Sequence, residues 1–285
     1  MTPTTGLLTL IGITLVWGTS FVVVKNALDT IPVSLLLALR FSIAAALFAF
    51  VRFDRRAVVP ALGLGVLAFV GFATQTIGLS LTTASKAAFI TGLSVILTPL
   101  VAAVWVRRPI PPRAYAAAAL AVVGLAFLTL GDAGWAGVNR GDAWVLLTAL
   151  AYALYIVYLG EVAGTARAFA LAGTQHLPMM LLAWAWAWPE RGALVDVPLA
   201  TYAAIAYLAV VATAIVSVLQ TYAQRVVSAP LTALVFVLEP VFAALFAAWL
   251  LGERLGAAGW AGGAVVVLAM LVSEVRFPAR RLPRR

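Results

Sequence analysis

The 285-residue chain contains no cysteine and a single histidine, His176. The first absence excludes disulfides, thiolate metal sites and cysteine nucleophiles. The second excludes a multi-histidine metal centre. Charge is scarce as well: Asp, Glu, Lys and Arg make up 10% of the chain, where a soluble domain carries about a quarter. The only lysines, Lys25 and Lys86, follow Val24 and Ser85, so there is no Gly-Lys-Ser/Thr phosphate loop. A Gly-x-Ser-Gly motif and any dense cluster of carboxylates are also missing. These gaps argue against an ATPase, a metalloenzyme or a membrane-embedded hydrolase, and no cofactor is expected.

What the chain has instead is apolar surface. It is 64% hydrophobic with a mean hydropathy of +1.08. A chain this apolar cannot present its outer side to water, so a lipid bilayer must solvate it. The formal charge of +9 would ordinarily raise nucleic acid as a partner. Here the basic residues sit in short gaps between apolar runs, which fits anchoring at an anionic lipid surface.

A helix crosses the hydrocarbon in roughly 20 mostly apolar residues. The sequence predicts an all-α integral membrane protein with ten such spans: 6–28, 32–51, 58–80, 84–106, 113–130, 141–160, 167–188, 199–221, 229–251 and 256–274. No gap between them is long enough for a soluble domain. The first span lacks a basic leader and a clear cleavage site, so it is expected to stay in the protein.

With the N-terminus in the cytoplasm, the inner segments hold Arg52, Arg55, Arg56, Arg107, Arg108, Arg113, Arg167, Arg225, Arg276, Arg280, Arg281, Arg284 and Arg285. The outer segments hold Lys25, Lys86, Arg140, Arg191 and Arg254. Thirteen against five sets both termini inside the cytoplasmic membrane. Residues 276–285 then form a basic cytoplasmic tail.

The chain also repeats. Thr98-Pro99 followed by LVAAVW parallels Glu239-Pro240 followed by VFAALF, and Gly6 to Phe21 can be laid on Gly141 to Ile156, pairing Trp17 with Tyr152. This divides the chain into residues 1–131 and 132–275. Five spans per half is an odd number, so the second half enters the membrane from the opposite side. Inverted repeats of this kind build secondary transporters, and proline-interrupted helices at matching places point to the substrate path. Pro99 and Pro240 are the candidate hinges, unless they only kink two helices for packing.

LEPVFAALFAAWLLGERL (Leu238 to Leu255) resembles the second-half signature of EamA-type carriers of the drug/metabolite transporter superfamily. LVWGTSFVVVK (Leu15 to Lys25) and LALRFSIAA (Leu37 to Ala45) resemble the first-half signature. The resemblance covers nearly the whole chain. It implies a central cavity lined by spans 1–4 and 6–9, with spans 5 and 10 as outer buttresses, and export of small metabolites. Within the superfamily the chain looks most like the amino-acid exporters, including those for aromatic amino acids. It departs from the pattern at Arg107 to Arg113, where the first half lacks the Gly-Glu-Arg turn present at Gly252 to Arg254.

Candidate site residues follow from cost. An ionisable group within a span is expensive and functional by default. Arg40 and Glu239 lie at similar depth, roughly 12 Å and 15 Å from their helix ends. They either pair to hold the fold or face the cavity and meet a charged substrate group or a proton. Lys25 and Lys86 lie near outer helix ends, and Lys86 is a candidate for attracting an anionic group. Trp135, Trp144, Trp184, Trp186 and Trp188 read as an interfacial belt. Trp17 and Tyr152 are roughly 16 Å into their helices. With Phe89, Tyr155 and Tyr222 they are candidates for an aromatic cavity wall. Gln75, Thr98, His176 and Gln220 are intramembrane polar groups that can bind substrate or join helices; Thr91, Gln175 and Ser217 share that ambiguity. Small residues at Gly252, Gly256, Gly259, Gly263 and Ala116 to Ala119 read as packing faces, internal or dimeric. The expectation is an alternating-access exporter of neutral and aromatic amino acids or similar metabolites, monomer or homodimer. A passive facilitator or channel is the alternative.

Overall fold

A computed structural model describes residues 1–51, 54–105, 112–130, 138–236 and 238–274. The turn at Arg107, the tail from Arg276 and Trp135 lie outside the described residues. Those described form helices, with no strand among them. In chain order these are α1 (Pro3–Ala27), α2 (Val33–Leu47), α3 (Arg55–Leu81), α4 (Ala84–Gly92), α5 (Ser94–Trp105), α6 (Pro112–Leu130) and α7 (Arg140–Val162). They continue as α8 (Ala168–Thr174), α9 (His176–Ala187), α10 (Leu199–Ala209), α11 (Val216–Ala223), α12 (Ala229–Phe236), α13 (Leu238–Leu250) and α14 (Ala257–Glu274).

Local chemistry sets the helix starts. Thr2 caps α1 by accepting from the Thr5 amide at 3.2 Å, with Pro3 in the first turn. Asn139 and Asp142 form a reciprocal capping box at the start of α7. Asp54 caps α3 and also accepts from the Arg167 amide at 3.2 Å, which ties the α2–α3 loop to the start of α8. The Arg167 amide bond, more than the nearby guanidinium charges, holds the Asp54 carboxyl below its ordinary range.

Among the described residues, five apolar stretches are long enough to cross a membrane: Pro3–Ala27, Arg55–Leu81, Ala84–Trp105, Arg140–Val162 and Leu199–Ala223. α2 is shorter than the sequence suggests, because the chain turns at Phe48, whose amide reaches back to Ala45 rather than Ala44. Large apolar side chains cover the outside, among them Leu8, Val59, Val122, Leu181, Leu245 and Trp249. Helices apolar all round are at home only in a core or in lipid. Within lipid, close packing and hydrogen bonds rather than the hydrophobic effect bind helix to helix.

The main packing partners are α3 with α7, α6 with α14, α1 with α13, and α2 with α9. α6 and α14 meet with Gly124 against the backbone of Val266, whereas the anticipated Gly263 meets the Phe89 ring and Gly259 meets Leu255.

The unexpected feature is interruption. The span expected at 84–106 breaks at Leu93 between α4 and α5, and the one at 167–188 breaks at Gln175 between α8 and α9. The span at 199–221 passes through a π-helical turn, Val210–Ile215. Proline accounts for part of this. Pro178 lacks an amide hydrogen and crowds the carbonyl four residues back, that of Thr174, the last residue of α8. Pro99 lies inside α5, and the break precedes it by six residues at Leu93.

Candidate functional site

All three interruptions open onto one cavity. Thr91 and Ser94 flank the first, Gln175 and His176 form the second, and Ala212 and Thr213 lie in the π turn, while Phe236 of α12 and Glu239 of α13 complete this part of the wall. α1 contributes Trp17, Ser20 and Phe21, α3 contributes Phe72 and Gln75, and α7 contributes Tyr152 and Tyr155. The space open to the centre of a water molecule is ≈ 80 Å³, enough for several waters or a small solute group.

Aromatic rings form much of the wall. Trp17 meets Phe236 edge-on at 5.2 Å, and Phe72 meets Tyr152 edge-on at 5.9 Å. Tyr152 fits because residue 71 is glycine: a Cβ there would lie 2.2 Å from Tyr152 Cε1. Polar side chains are held in chains of bonds. Tyr152 donates to Gln75 Oε1 at 3.4 Å, and Gln75 Nε2 donates to Thr91 Oγ1 at 3.3 Å. Tyr155 donates to Gln175 Oε1 at 3.0 Å. Gln220 donates to Gln224 at 3.0 Å. His176 places Nδ1 3.3 Å from the Gly173 carbonyl and stacks flat on Phe48 at 5.2 Å.

The π turn has a specific use. Thr213 donates to the Leu208 carbonyl, five residues back. The Ala212 carbonyl then receives Trp17 Nε1 at 3.3 Å and an Arg40 amine at 3.4 Å. π-Helical turns free backbone groups in this way and recur at functional sites.

Of the residues singled out from the sequence, Trp17, Gln75, Tyr152, Tyr155, His176, Gln220 and Glu239 share the cavity wall. Others do not. Arg40 lies behind the wall: Nε donates to Thr213 Oγ1 at 2.6 Å and the guanidinium covers the Phe72 ring at 4.5 Å. The expected Arg40–Glu239 pair does not form. The hydroxyl and carbonyls of the π turn meet Arg40 instead, while Glu239 makes no hydrogen bond or ion pair among the described residues. Phe89 packs on Gly263 of α14. Thr98 donates to its own helix at Ser94. Tyr222 is 38% exposed, next to Arg225.

Lys86 belongs to a separate polar layer at one end of the bundle. Its ammonium is 2.9 Å from Asp142, which also accepts from Thr82 Oγ1 at 3.2 Å. Lys25 donates to the Leu79 and Thr82 carbonyls at 2.8 Å, closing the end of α3. Gly252, at φ +65°, turns the chain after α13 in a conformation that glycine adopts without strain. Glu253 beside it accepts from the Ala84 and Ser85 amides and the Ser85 hydroxyl at 2.7–3.0 Å. This layer joins the ends of α1, α3, α4, α7 and α13.

Among the wall residues overlooked in the sequence are Ser20, Phe72, Thr213 and Phe236. Three of them had a signal. Ser20, Phe72 and Phe236 lie three residues from Trp17, Gln75 and Glu239, on the same helix face.

A helical bundle with interrupted helices meeting at an internal cavity is the architecture of a membrane carrier. The sequence profile of the EamA-like transporter family matches the chain twice, over residues 4–130 and 139–274. The chain belongs to the EamA-like transporter family: it is a multi-pass membrane transporter, and not an enzyme. A relative from Archaeoglobus fulgidus, described as an uncharacterized transporter, is 29% identical over 266 residues, covering 93% of this chain and 84% of its own. A solved crystal structure with 18% identity matches at a TM-score of 0.67, over 95% of this chain and 96% of its own, a likeness of fold.

Proposed function

We propose that the protein is an alternating-access carrier that exports amino acids, neutral and aromatic, or similar small metabolites across the cytoplasmic membrane. The observation that carries this reading is the meeting of three helix interruptions, at Leu93, Gln175 and Val210–Ile215, at one aromatic-walled cavity. Irregular backbone inside a membrane is tolerated where it is buried in protein or lines a cavity, and broken helices build transporter sites.

Ten spans in two inverted halves, 1–131 and 132–275, complete the proposal. Two observations support it: the family profile matches each half separately, and packing is reciprocal. α1 packs on α10–α13 of the second half, and α7 on α3–α5 of the first. Exchanging the conformations of such halves carries the cavity opening from one side to the other. The Lys86, Asp142 and Glu253 layer then closes the outer side, with both termini cytoplasmic. A closed polar layer over the cavity favours a carrier over an open channel.

Counterflow in liposomes tests this. Vesicles preloaded with unlabelled phenylalanine, threonine or methionine should accumulate the labelled compound transiently, with saturation. Linear, non-saturating flux would indicate a channel. Movement of a nucleotide sugar without any amino acid would reject the substrate class.

A further inference from the structure

The cavity is unbalanced in charge. Its described wall offers aromatic faces, the amides of Gln75, Gln175 and Gln220, several hydroxyls and one carboxylate, Glu239, but no Lys or Arg side chain. Arg40 of α2 does not line the cavity, and two of its donors are engaged behind the wall. Nε and an amine point to Thr213 and the Ala212 carbonyl, and Phe72 lies against the guanidinium. The other side chains of the wall bring no cation to Glu239: α1 presents Trp17 and Ser20, α4 presents Thr91, and α7 presents Tyr152. His176 is on the wall, with Nδ1 at the Gly173 carbonyl and a ring face on Phe48. Lys86 is engaged with Asp142 in the end layer.

An unpaired carboxylate in a largely apolar cavity favours an occupant that brings a positive charge. Aromatic faces attract the same charge and take up an apolar body. A zwitterionic amino acid satisfies Glu239 with its ammonium but adds a second carboxylate, for which the wall supplies only neutral donors. A monocationic amine leaves the occupied cavity neutral. We infer that the site selects monocationic amines with an apolar or aromatic body over free amino acids, with Glu239 accepting the ammonium. The class includes amines without a carboxyl group and amino acids whose carboxyl is masked as an amide or ester. This inference rests on the cavity being the transport site.

The test compares four ligands of one ring size on the wild-type protein in liposomes: phenethylamine, phenylalaninamide, phenylalanine and 3-phenylpropionate. The two monocations should half-saturate transport at concentrations about tenfold or more below phenylalanine, the scale of burying the extra carboxylate without a charged partner. The anion 3-phenylpropionate should not compete. Glu239→Gln should shrink the tenfold gap to about twofold, and Glu239→Asp should keep most of it. Should the glutamine variant fail to fold, the wild-type ligand series decides by itself. Phenylalanine or 3-phenylpropionate acting as strongly as phenylalaninamide would overturn the charge selection and leave the transport site standing. If none of the four is carried or shifts thermal stability, the transport-site reading falls, and the charge selection with it.

Discussion

Arg40 on α2 donates from Nε to the hydroxyl of Thr213 in the π turn between α10 and α11, at 2.6 Å. The bond joins a cation that does not line the cavity to a backbone irregularity that does. It fixes Ala212 where its carbonyl can meet Trp17. Thr213→Val keeps the shape and removes the acceptor, leaving a buried guanidinium donor unsatisfied. The expected cost is about 1–3 kcal/mol, seen as a lower melting temperature in detergent, with Thr213→Ser close to wild type. Equal melting temperatures for the three proteins would show that the bond does not hold the turn.

Gly71 and Tyr152 give a steric prediction. Gly71→Ala places a methyl group on the Tyr152 ring and should destabilise by about 1–3 kcal/mol, as overpacking does. Gly71→Ala combined with Tyr152→Ala should recover stability but not aromatic transport. Loss that is additive in the double variant would mean that the ring and the glycine do not meet.

Trp17 should set preference by size. Its edge contact with Phe236 marks an aromatic wall, where one good ring pair is worth about 0.5–1.5 kcal/mol. Trp17→Ala should therefore raise the half-saturating concentration of aromatic substrates about 2- to 12-fold and leave threonine nearly unchanged. An equal loss for both would place Trp17 in the fold rather than in recognition.

Topology can be read directly, because the wild-type chain has no cysteine. Single cysteines at Arg140 and Arg191 should react with an impermeant maleimide added outside intact cells. Labelling of either only from the cytoplasmic side would reverse the assignment.

Much of the architecture was legible in the sequence because the bilayer imposes it. Lipid demands long apolar helices, and among the described residues five apolar helical stretches, Pro3–Ala27, Arg55–Leu81, Ala84–Trp105, Arg140–Val162 and Leu199–Ala223, lie within a few residues of expected spans. The helix interruptions were less legible. Pro178 marks one of them, but Leu93 and the π turn at Val210–Ile215 carry no proline. Their geometry depends on tertiary partners, such as Arg40 on Thr213. Periodicity could place Trp17, Gln75 and Tyr152 at mid-helix, and the cavity gathers them. It could not tell that Arg40 turns its donors to a backbone turn while Glu239 stays unpaired, because depth along a helix does not give direction around it. Phe89 and Tyr222 fail for the same reason: one faces α14 and the other faces outward.

The central claim is that substrates pass through this cavity, and Ser217 on α11 tests it most directly. The residue lines the cavity, its hydroxyl donates to the Ala214 carbonyl of the preceding π turn, and the chain is free of thiols. With Ser217→Cys in liposomes, the rate of modification by a small maleimide is measured with and without a carried substrate, set beside a cysteine at exposed Leu199. The account predicts that saturating substrate slows modification at Ser217 several-fold and leaves Leu199 unaffected. An unchanged rate at Ser217, with transport of that substrate intact, would contradict it.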